Sequence, residues 1–293
     1  MLLRHIRYLL AVAEHRNFTR AAEALHVSQP TLSQQIKQLE DVLGAPLFDR
    51  SGRTVRLTDA GEAYVRFARL ALQDLEAAKR AMHDVQDLTR GSLRLAMTPT
   101  FTAYLIGPLL ARFNSLYPGV SVSVEEMTQD RIESALAEDL LDIGIAFTGN
   151  HLSDIDSQPL FSETLSLVVS QNHPGFLDRQ SLNAEALGQQ SLVLLSGDFA
   201  TRQHIDQYCR QHNIAPRIAI EANSISAIVE IVRRGLLATI LPEAIARELP
   251  GLRPLAVHPG LPQRRVALLS RKGAYRSAAC QAFIELVAAL GNV

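Results

Sequence analysis

The chain has 293 residues, 47% hydrophobic and 20% charged, which is enough for about two domains, each with its own apolar core. Lys and Arg number 29 against 30 Asp and Glu, a formal net charge of −1, and this excludes both a histone-like polycation and an acidic disordered tail. Two cysteines, Cys209 and Cys280, are too few for a disulfide framework and lack metal-ligand spacing, so no metal or other cofactor is expected and a reducing cytoplasm is the default compartment. No apolar run reaches the roughly 18 residues of a membrane span, and MLLRHIRYLLAVAEH is broken by Arg4, His5 and Arg7, so neither a signal-peptide core nor a membrane partner is expected.

The charge is unevenly placed. Residues 1–56 hold eight basic groups and five acidic ones, a net of +3 that leaves −4 for the rest, an asymmetry typical of a nucleic-acid-binding end joined to a different kind of domain. Leu2, Leu3, Ile6, Leu9, Leu10 and Ala13 recur at helical spacing and predict an amphipathic helix ending near His15. Thr19 is read as the cap of a short second helix, with Phe18 as a hydrophobic staple before it and Ala21 and Ala22 small enough for close helix approach. Ser28 caps a third helix from Gln29 to Leu43, with Pro30 in its first turn and Gly44 at its end.

Leu32, Ile36, Leu39 and Leu43 form the core stripe of that helix, leaving Gln29, Ser33, Gln34 and Lys37 on its other side or flank. Amides, a hydroxyl and one cation suit base edges and phosphates better than an ordinary solvated face, which alternates Glu with Lys. LFDRSGRTVRL follows as strand, turn and strand, with Arg50, Arg53 and Arg56 around the turn. A basic hairpin beside a helix-turn-helix is a winged arrangement, and the partner it implies is double-stranded operator DNA.

From Thr58 a helix is predicted to about Leu88, about 46 Å long at 1.5 Å per residue. Its apolar seam, Tyr64, Phe67, Ala71, Leu75, Ala78, Met82 and Val85, repeats in threes and fours, as a helix does when it pairs with another. A second copy is the simplest partner, presenting two reading heads to two half-sites, although the seam's own C-terminal domain is the alternative.

The run HIRYLLAVAEHRNFTRAAEALHVSQPTLSQQIKQLEDVLGAPLFDRSGRTVRLTDAGE resembles the N-terminal domain of LysR-type transcriptional regulators, in the paired alanines of helix two, the SQPTLSQQI recognition helix and the LF.R wing. The resemblance implies that Gln29, Pro30, Thr31, Ser33 and Gln34 face the major groove, that Thr19 and Lys37 contact the backbone, and that Arg50 and Arg53 serve the wing. Where many relatives carry a second Pro and an Arg in the recognition helix, this chain has Thr31 and Gln34, so half-site preference does not transfer. The family further implies an activator working as a homotetramer, with RNA polymerase as a further partner.

Beyond residue 90, β-branched runs alternate with helical stretches: SLRLAMT, a helix over residues 103–117, VSVSVEEM, a helix over 131–138, LDIGIAF, TLSLVVS, SLVLLS, a helix over 201–212, RIAIEA, a helix over 224–234, LLATILP, RVALLSR and a last helix to Leu290. The expected class is α/β, with parallel sheets covered by helices on both faces. The organisation is a winged helix-turn-helix at 1–57, a linker and dimerisation helix with hinge at 58–90, and an effector domain at 91–293, whose lobes are 91–162 with 266–293 and 163–265. The resemblance implies a sensor similar to type 2 periplasmic binding proteins.

Ligands in such folds bind where loops leave the strand ends. Thr98 and Thr100 follow the first strand, while Ser196, Asp198, Thr201 and Arg202 follow SLVLL, and Asn223 and Ser224 stand at a helix start. Each is explained singly by helix capping, but their convergence points to a small anion. Phe101, Phe147 and Phe199 are candidate walls, and Arg202 is a candidate carboxylate clamp. Matching the family's effector positions gives Thr98, Thr100, Gln129, Phe147, Ser196, Phe199 and Asn223. Within the family, DLTRGSLR, TPTF and EANSISA are similar to a cyanate-responsive branch that controls a cyanase-type operon. This makes cyanate the expected effector and a small carboxylate the alternative. The sequence shows no GxxxxGK[ST], GxGxxG, HExxH or GxSxG, so an enzyme is not expected. A solute-binding protein, the rival from another class, would carry a signal peptide and no DNA-reading helix.

Overall fold

A computed structural model describes residues 3–51, 54–83 and 88–290. It divides into two compact units, Met1–Met82 and His83–Val293.

In the first unit, α1 (Leu3–His15), α2 (Phe18–Ala24) and α3 (Gln29–Leu43) precede β1 (Phe48–Asp49), β2 (Arg56–Leu57) and α4 (Asp59–His83). Leu9, Val12, Ala21, Ala22, Leu32, Ile36, Leu39, Leu47 and Phe48 are buried together with Val65 and Ala68 of α4. The cap of α2 is Asn17 and not Thr19: its Oδ1 accepts from the N–H groups of Thr19 at 2.8 Å and Arg20 at 3.0 Å. Asn is as good a cap as Thr, and moving the cap two residues earlier places Phe18 inside the helix. Phe18 then packs edge-on against Phe48, ring centres 5.8 Å apart. Ser28 does cap α3, and Gly44 closes it at φ 70°, where a side chain would be strained.

Gly61 is fixed by crowding. A Cβ there would stand 2.0 Å from the carbonyl oxygen of Leu47, so α4 rests directly on the backbone leading into the wing. Gly61→Ala is expected to lower the melting temperature of this unit by about 10 °C, in line with roughly 2 kcal/mol or more of overpacking in a domain under 100 residues. Calorimetry checks this, and an unchanged transition would mean the approach is looser than drawn. Gly52, Arg53 and Val85 lie outside the described residues. Leu88, expected at the end of the linker helix, has φ 57° and is outside any helix.

The second unit begins with β3 (Gly91–Met97), α5 (Pro99–Tyr104), α6 (Ile106–Leu116), β4 (Val120–Glu126), α7 (Gln129–Ala137) and β5 (Ile143–Phe147). It continues through β6 (Ile155–Ser170), β7 (Ser181–Asn183), α8 (Ala184–Gly188), β8 (Ser191–Leu195), α9 (Ala200–Gln211), β9 (Arg217–Ala222) and α10 (Ile225–Arg234). It closes with β10 (Thr239–Pro242), α11 (Glu243–Glu248), β11 (Leu252–His258), β12 (Gln263–Arg271) and α12 (Ala278–Leu290). The helix expected over residues 103–117 is two helices, because Pro108 has no N–H to bond the carbonyl one turn back.

The sheets are mixed where all-parallel ones were expected. Strand order is β4-β3-β5-β12-β6-β11-β7, with β10 also on β6, and β8 pairs β9. β3 runs parallel to β4 and β5, but β12 is antiparallel to both β5 and β6. The reason lies in the 16-residue β6, which pairs with β12 up to Thr164 and then with β10 and β11 from Leu165 to Ser170. The chain enters the second lobe on one strand and returns on its antiparallel neighbour. Each lobe's sheet is covered on both faces, by Phe101, Phe113 and Phe283 on one side of the first and Ile132 and Leu136 on the other.

Candidate DNA interface and effector cavity

The first unit turns a polar face outward. Gln29, Pro30, Thr31, Gln34 and Lys37 of α3 are exposed, Ser33 is half-buried, and Leu32, Ile36 and Leu39 are buried behind them. Thr31 Oγ1 shares a 2.7 Å hydrogen bond with Ser28 Oγ, which steadies the first turn of the presented face. Thr19 is exposed, and its backbone N–H is taken by Asn17.

Arg50, expected to serve the wing, is held within the unit. It pairs with Glu40 Oε2 at 3.0 Å and lies 4.9 Å over the Phe18 ring. Glu40 Oε1 meanwhile accepts from the backbone N–H groups of Leu47 at 2.8 Å and Phe48 at 3.2 Å. One carboxylate on α3 therefore ties the start of the hairpin at three points, and Arg50 and Arg56 are both exposed.

In the second unit a narrow cavity opens where strands of both lobes end, lined by Thr98, Pro99, Thr100, Thr128, Gln129, Phe147, Leu195, Phe199, Ala200 and Thr201. Of the residues expected there, it gathers Thr98, Thr100, Gln129, Phe147, Phe199 and Thr201. The Thr98 and Thr100 hydroxyls are buried and find no partner among the described residues. Gln129 Oε1 accepts from the Phe147 N–H at 3.3 Å.

Five expected residues stand elsewhere. Phe101 is wholly buried in the first lobe's core, 5.1 Å from the Phe147 ring, so it backs the wall without lining it. The Ser196 N–H is spent on the Ala222 carbonyl at 3.0 Å. Arg202, the candidate clamp, is outside the lining and engaged within its lobe: it donates to Asp206 at 2.9 Å, to Glu221 at 2.7 Å and to the Leu195 carbonyl at 2.8 Å. Ser224 caps α10 by accepting from the Ala227 N–H, and Asn223 is exposed beside it. For these last four, local hydrogen bonding or exposure explains the positions that sequence alone assigned to a ligand.

The sequence reading missed a buried group behind the cavity. Arg264, on the returning strand β12, has a side chain 1% exposed and pairs with Glu163 of β6, whose side chain is 3% exposed. Its Nη1 donates to Thr201 Oγ1 at 2.7 Å, and its guanidinium lies 4.1 Å over the Phe147 ring. Tyr104 of α5 donates to Glu163 at 2.8 Å, and its phenol is pushed far above the usual range by burial first and by the Glu163 charge second. Since Thr201 accepts from Arg264, its own hydroxyl proton is left to donate elsewhere, with a positive charge one bond behind it. The cavity thus has no ionised side chain in its described lining, yet it presents donors from both lobes.

A reading unit with an exposed polar helix, followed by a two-lobed unit with a donor-lined cavity, defines a ligand-responsive DNA-binding protein. Residues 86–291 match the LysR substrate binding domain and residues 3–62 the bacterial regulatory helix-turn-helix of the lysR family. The chain belongs to the LysR family of transcriptional regulators, not enzymes. It is 30% identical over 276 residues to a hydrogen peroxide-inducible genes activator of Pectobacterium carotovorum, covering 93% of this chain and 91% of that one. It is 31% identical over 289 residues to the HTH-type transcriptional activator CmpR of Synechocystis, covering 97% and 93%. Full-length CbnR complexed with its target DNA superposes with a TM-score of 0.63 at 25% identity, covering 98% of this chain and 99% of that one.

Proposed function

We propose that this regulator is an activator that senses a small anion at the lobe junction, with cyanate the first candidate. The observation that carries the reading is the polarity of the cavity: Thr98 and Thr100 hydroxyls without partners among the described residues, and a lining Thr201 hydroxyl that accepts from Arg264 and keeps its proton free. A small acceptor-only ligand satisfies all three at once, while a longer carboxylate ordinarily calls for an arginine fork, and Arg202 is engaged by its own carboxylates. Peroxide sensing through a thiol, suggested by one relative's name, fits poorly. Both cysteines are buried, with burial raising both thiols, Cys280 to about 12.

On α4, Val65 and Ala68 face the unit's own core, while Phe67 and Leu75 are 62% and 46% exposed and Ala71 and Ala78 are exposed with them. Tyr64 is partly packed on that core. The side chain of Met82 and all of Val85 lie outside the described residues. This seam supports pairing of two chains through α4, a tetramer built from such pairs, and two heads on one operator. Among the described residues no helix is long and apolar enough to cross a membrane, and the proposed setting is the cytoplasm, with RNA polymerase as the downstream partner.

The test is a gel shift with DNA from upstream of the protein's own gene neighbourhood, repeated with sodium cyanate, bicarbonate and formate. The expected result is binding without effector and a changed footprint with cyanate. No binding at low salt would sink the DNA-binding role, and a response to formate alone would move the effector to the small carboxylates. Lys37→Ala is expected to weaken binding across all operator sequences and to reduce the salt slope by about 1; a loss confined to one sequence would make Lys37 a base reader.

A further inference from the structure

Gln129 opens α7 and lines the cavity beside Thr98, Thr100 and Thr128. Its amide is held at both ends. Oε1 accepts from the backbone N–H of Phe147 at 3.3 Å, and Nε2 donates to Glu133 Oε1 at 3.2 Å. Glu133 sits one turn along α7 and is 5% exposed. It also receives His151 Nδ1 at 2.8 Å and the Leu152 N–H at 2.9 Å. Burial raises this carboxyl, but the hydrogen bonds from His151, Leu152 and Gln129 outweigh burial and hold it below its ordinary value.

These partners determine which way round the amide sits. A carboxylate only accepts, so the Gln129 atom facing Glu133 must be the NH2 group; a backbone N–H only donates, so the atom facing Phe147 must be the carbonyl oxygen. Two independent neighbours forbid the flip that amides otherwise allow. With one Nε2 proton given to Glu133 and the oxygen turned to the Phe147 N–H, the donor left for a ligand is the second Nε2 proton.

We propose that Glu133 is a positioning residue of the effector cavity: by fixing the Gln129 amide it commits that wall to donating, and so selects small anions over neutral isosteres that bring a donor of their own. This rests on the anion-sensing reading above and adds the residue that enforces it. Glu133 touches no ligand. Its effect passes through Gln129, whose free Nε2 proton can only donate, beside the Thr98, Thr100 and Thr201 hydroxyls, which can turn to suit a ligand. Discrimination of this kind is strong because a ligand N–H placed against a fixed N–H leaves both unpaired in a buried site.

The test uses the full chain and Glu133→Gln, which keeps the shape and removes the obligatory acceptor. The Gln129 side-chain signals in a proton–nitrogen correlation spectrum, identified by their loss in Gln129→Leu, are expected to shift and exchange faster in Glu133→Gln; unmoved signals overturn the proposal whatever ligand binds. Formate and formamide then serve as an isosteric pair, acceptor-only against donor-bearing. Wild type is expected to prefer formate, and Glu133→Gln to lose about tenfold of that preference, the worth of one hydrogen bond to a charged group. Equal weakening of both ligands would mean a structural role only and overturn the proposal. If neither formate nor cyanate binds wild type while the Gln129 signals still move, the anion reading falls and the positioning of Gln129 stands. Should Glu133→Gln fail to fold, Glu133→Asp, which withdraws the carboxylate by one methylene, is expected to give the same loss at smaller size.

Discussion

Thr100→Val is expected to stabilise the ligand-free protein while abolishing its response to effector. Thr100 is 2% exposed and its hydroxyl has no partner among the described residues, so the folded chain bears the desolvation of a polar group without a hydrogen bond in return. Valine keeps the branched shape and removes the penalty. A gain of about 1 kcal/mol, a rise of roughly 2–4 °C for a domain of this size, is the expected change in thermal melting. Losing a charge-assisted hydrogen bond to the anion costs about 1.5–3 kcal/mol, or roughly ten- to a hundredfold in affinity. Operator binding without effector is expected to be unchanged. A lower melting temperature would show that the hydroxyl has a structural partner, and an intact response would remove Thr100 from the cavity's donors.

The largest expected loss of stability follows from the Glu163 and Arg264 pair. Their side chains are 3% and 1% exposed, and one is contributed by each of the two strands that connect the lobes. Arg264→Met leaves Glu163 buried with only the Tyr104 hydroxyl for company, and breaking a buried pair in this way costs about 3–5 kcal/mol. A fall of about 10 °C in the effector unit's transition is expected. The double variant Glu163→Leu with Arg264→Met is expected to recover most of this, because no charge remains to be desolvated. It should nevertheless respond more weakly, since Thr201 would lose the positive charge bonded behind its hydroxyl. An unchanged transition in the single variant would show that the pair is not formed in solution.

Much of the first unit was legible because its signals are local. Ser28, Pro30 and Gly44 fix both ends of α3 within a few residues of sequence, and periodicity assigned the buried Leu32, Ile36 and Leu39 but also Leu43, which is exposed at the helix end. The cap of α2 was misplaced by two residues because Asn17 and Thr19 are both good caps. In the second unit, β7, α8, α11 and β11 were not foreseen. The first three are too short to show a period, and β11 is broken in pattern by Pro254, which sits beside β6. The antiparallel return of β12 depends on pairing about a hundred residues away in sequence, which no local pattern encodes. Arg264 had one available sign. Extending the buried alternation of Val266 and Leu268 back by one step places an arginine facing inward, and an inward charge at a sheet's edge of burial asks for a partner.

The three contacts Glu40 makes with the start of the wing reach beyond local stability. With Arg50, Leu47 and Phe48 all tied to one carboxylate on α3, the proposed reading helix and the start of the hairpin are held as one piece. Tolerance toward imperfect operators must then come from somewhere softer, either the distance between two such pieces or the bending of the DNA that carries both half-sites. Operators with altered half-site spacing are therefore the place to look for graded regulation, and operators with altered half-site sequence the place to look for its loss.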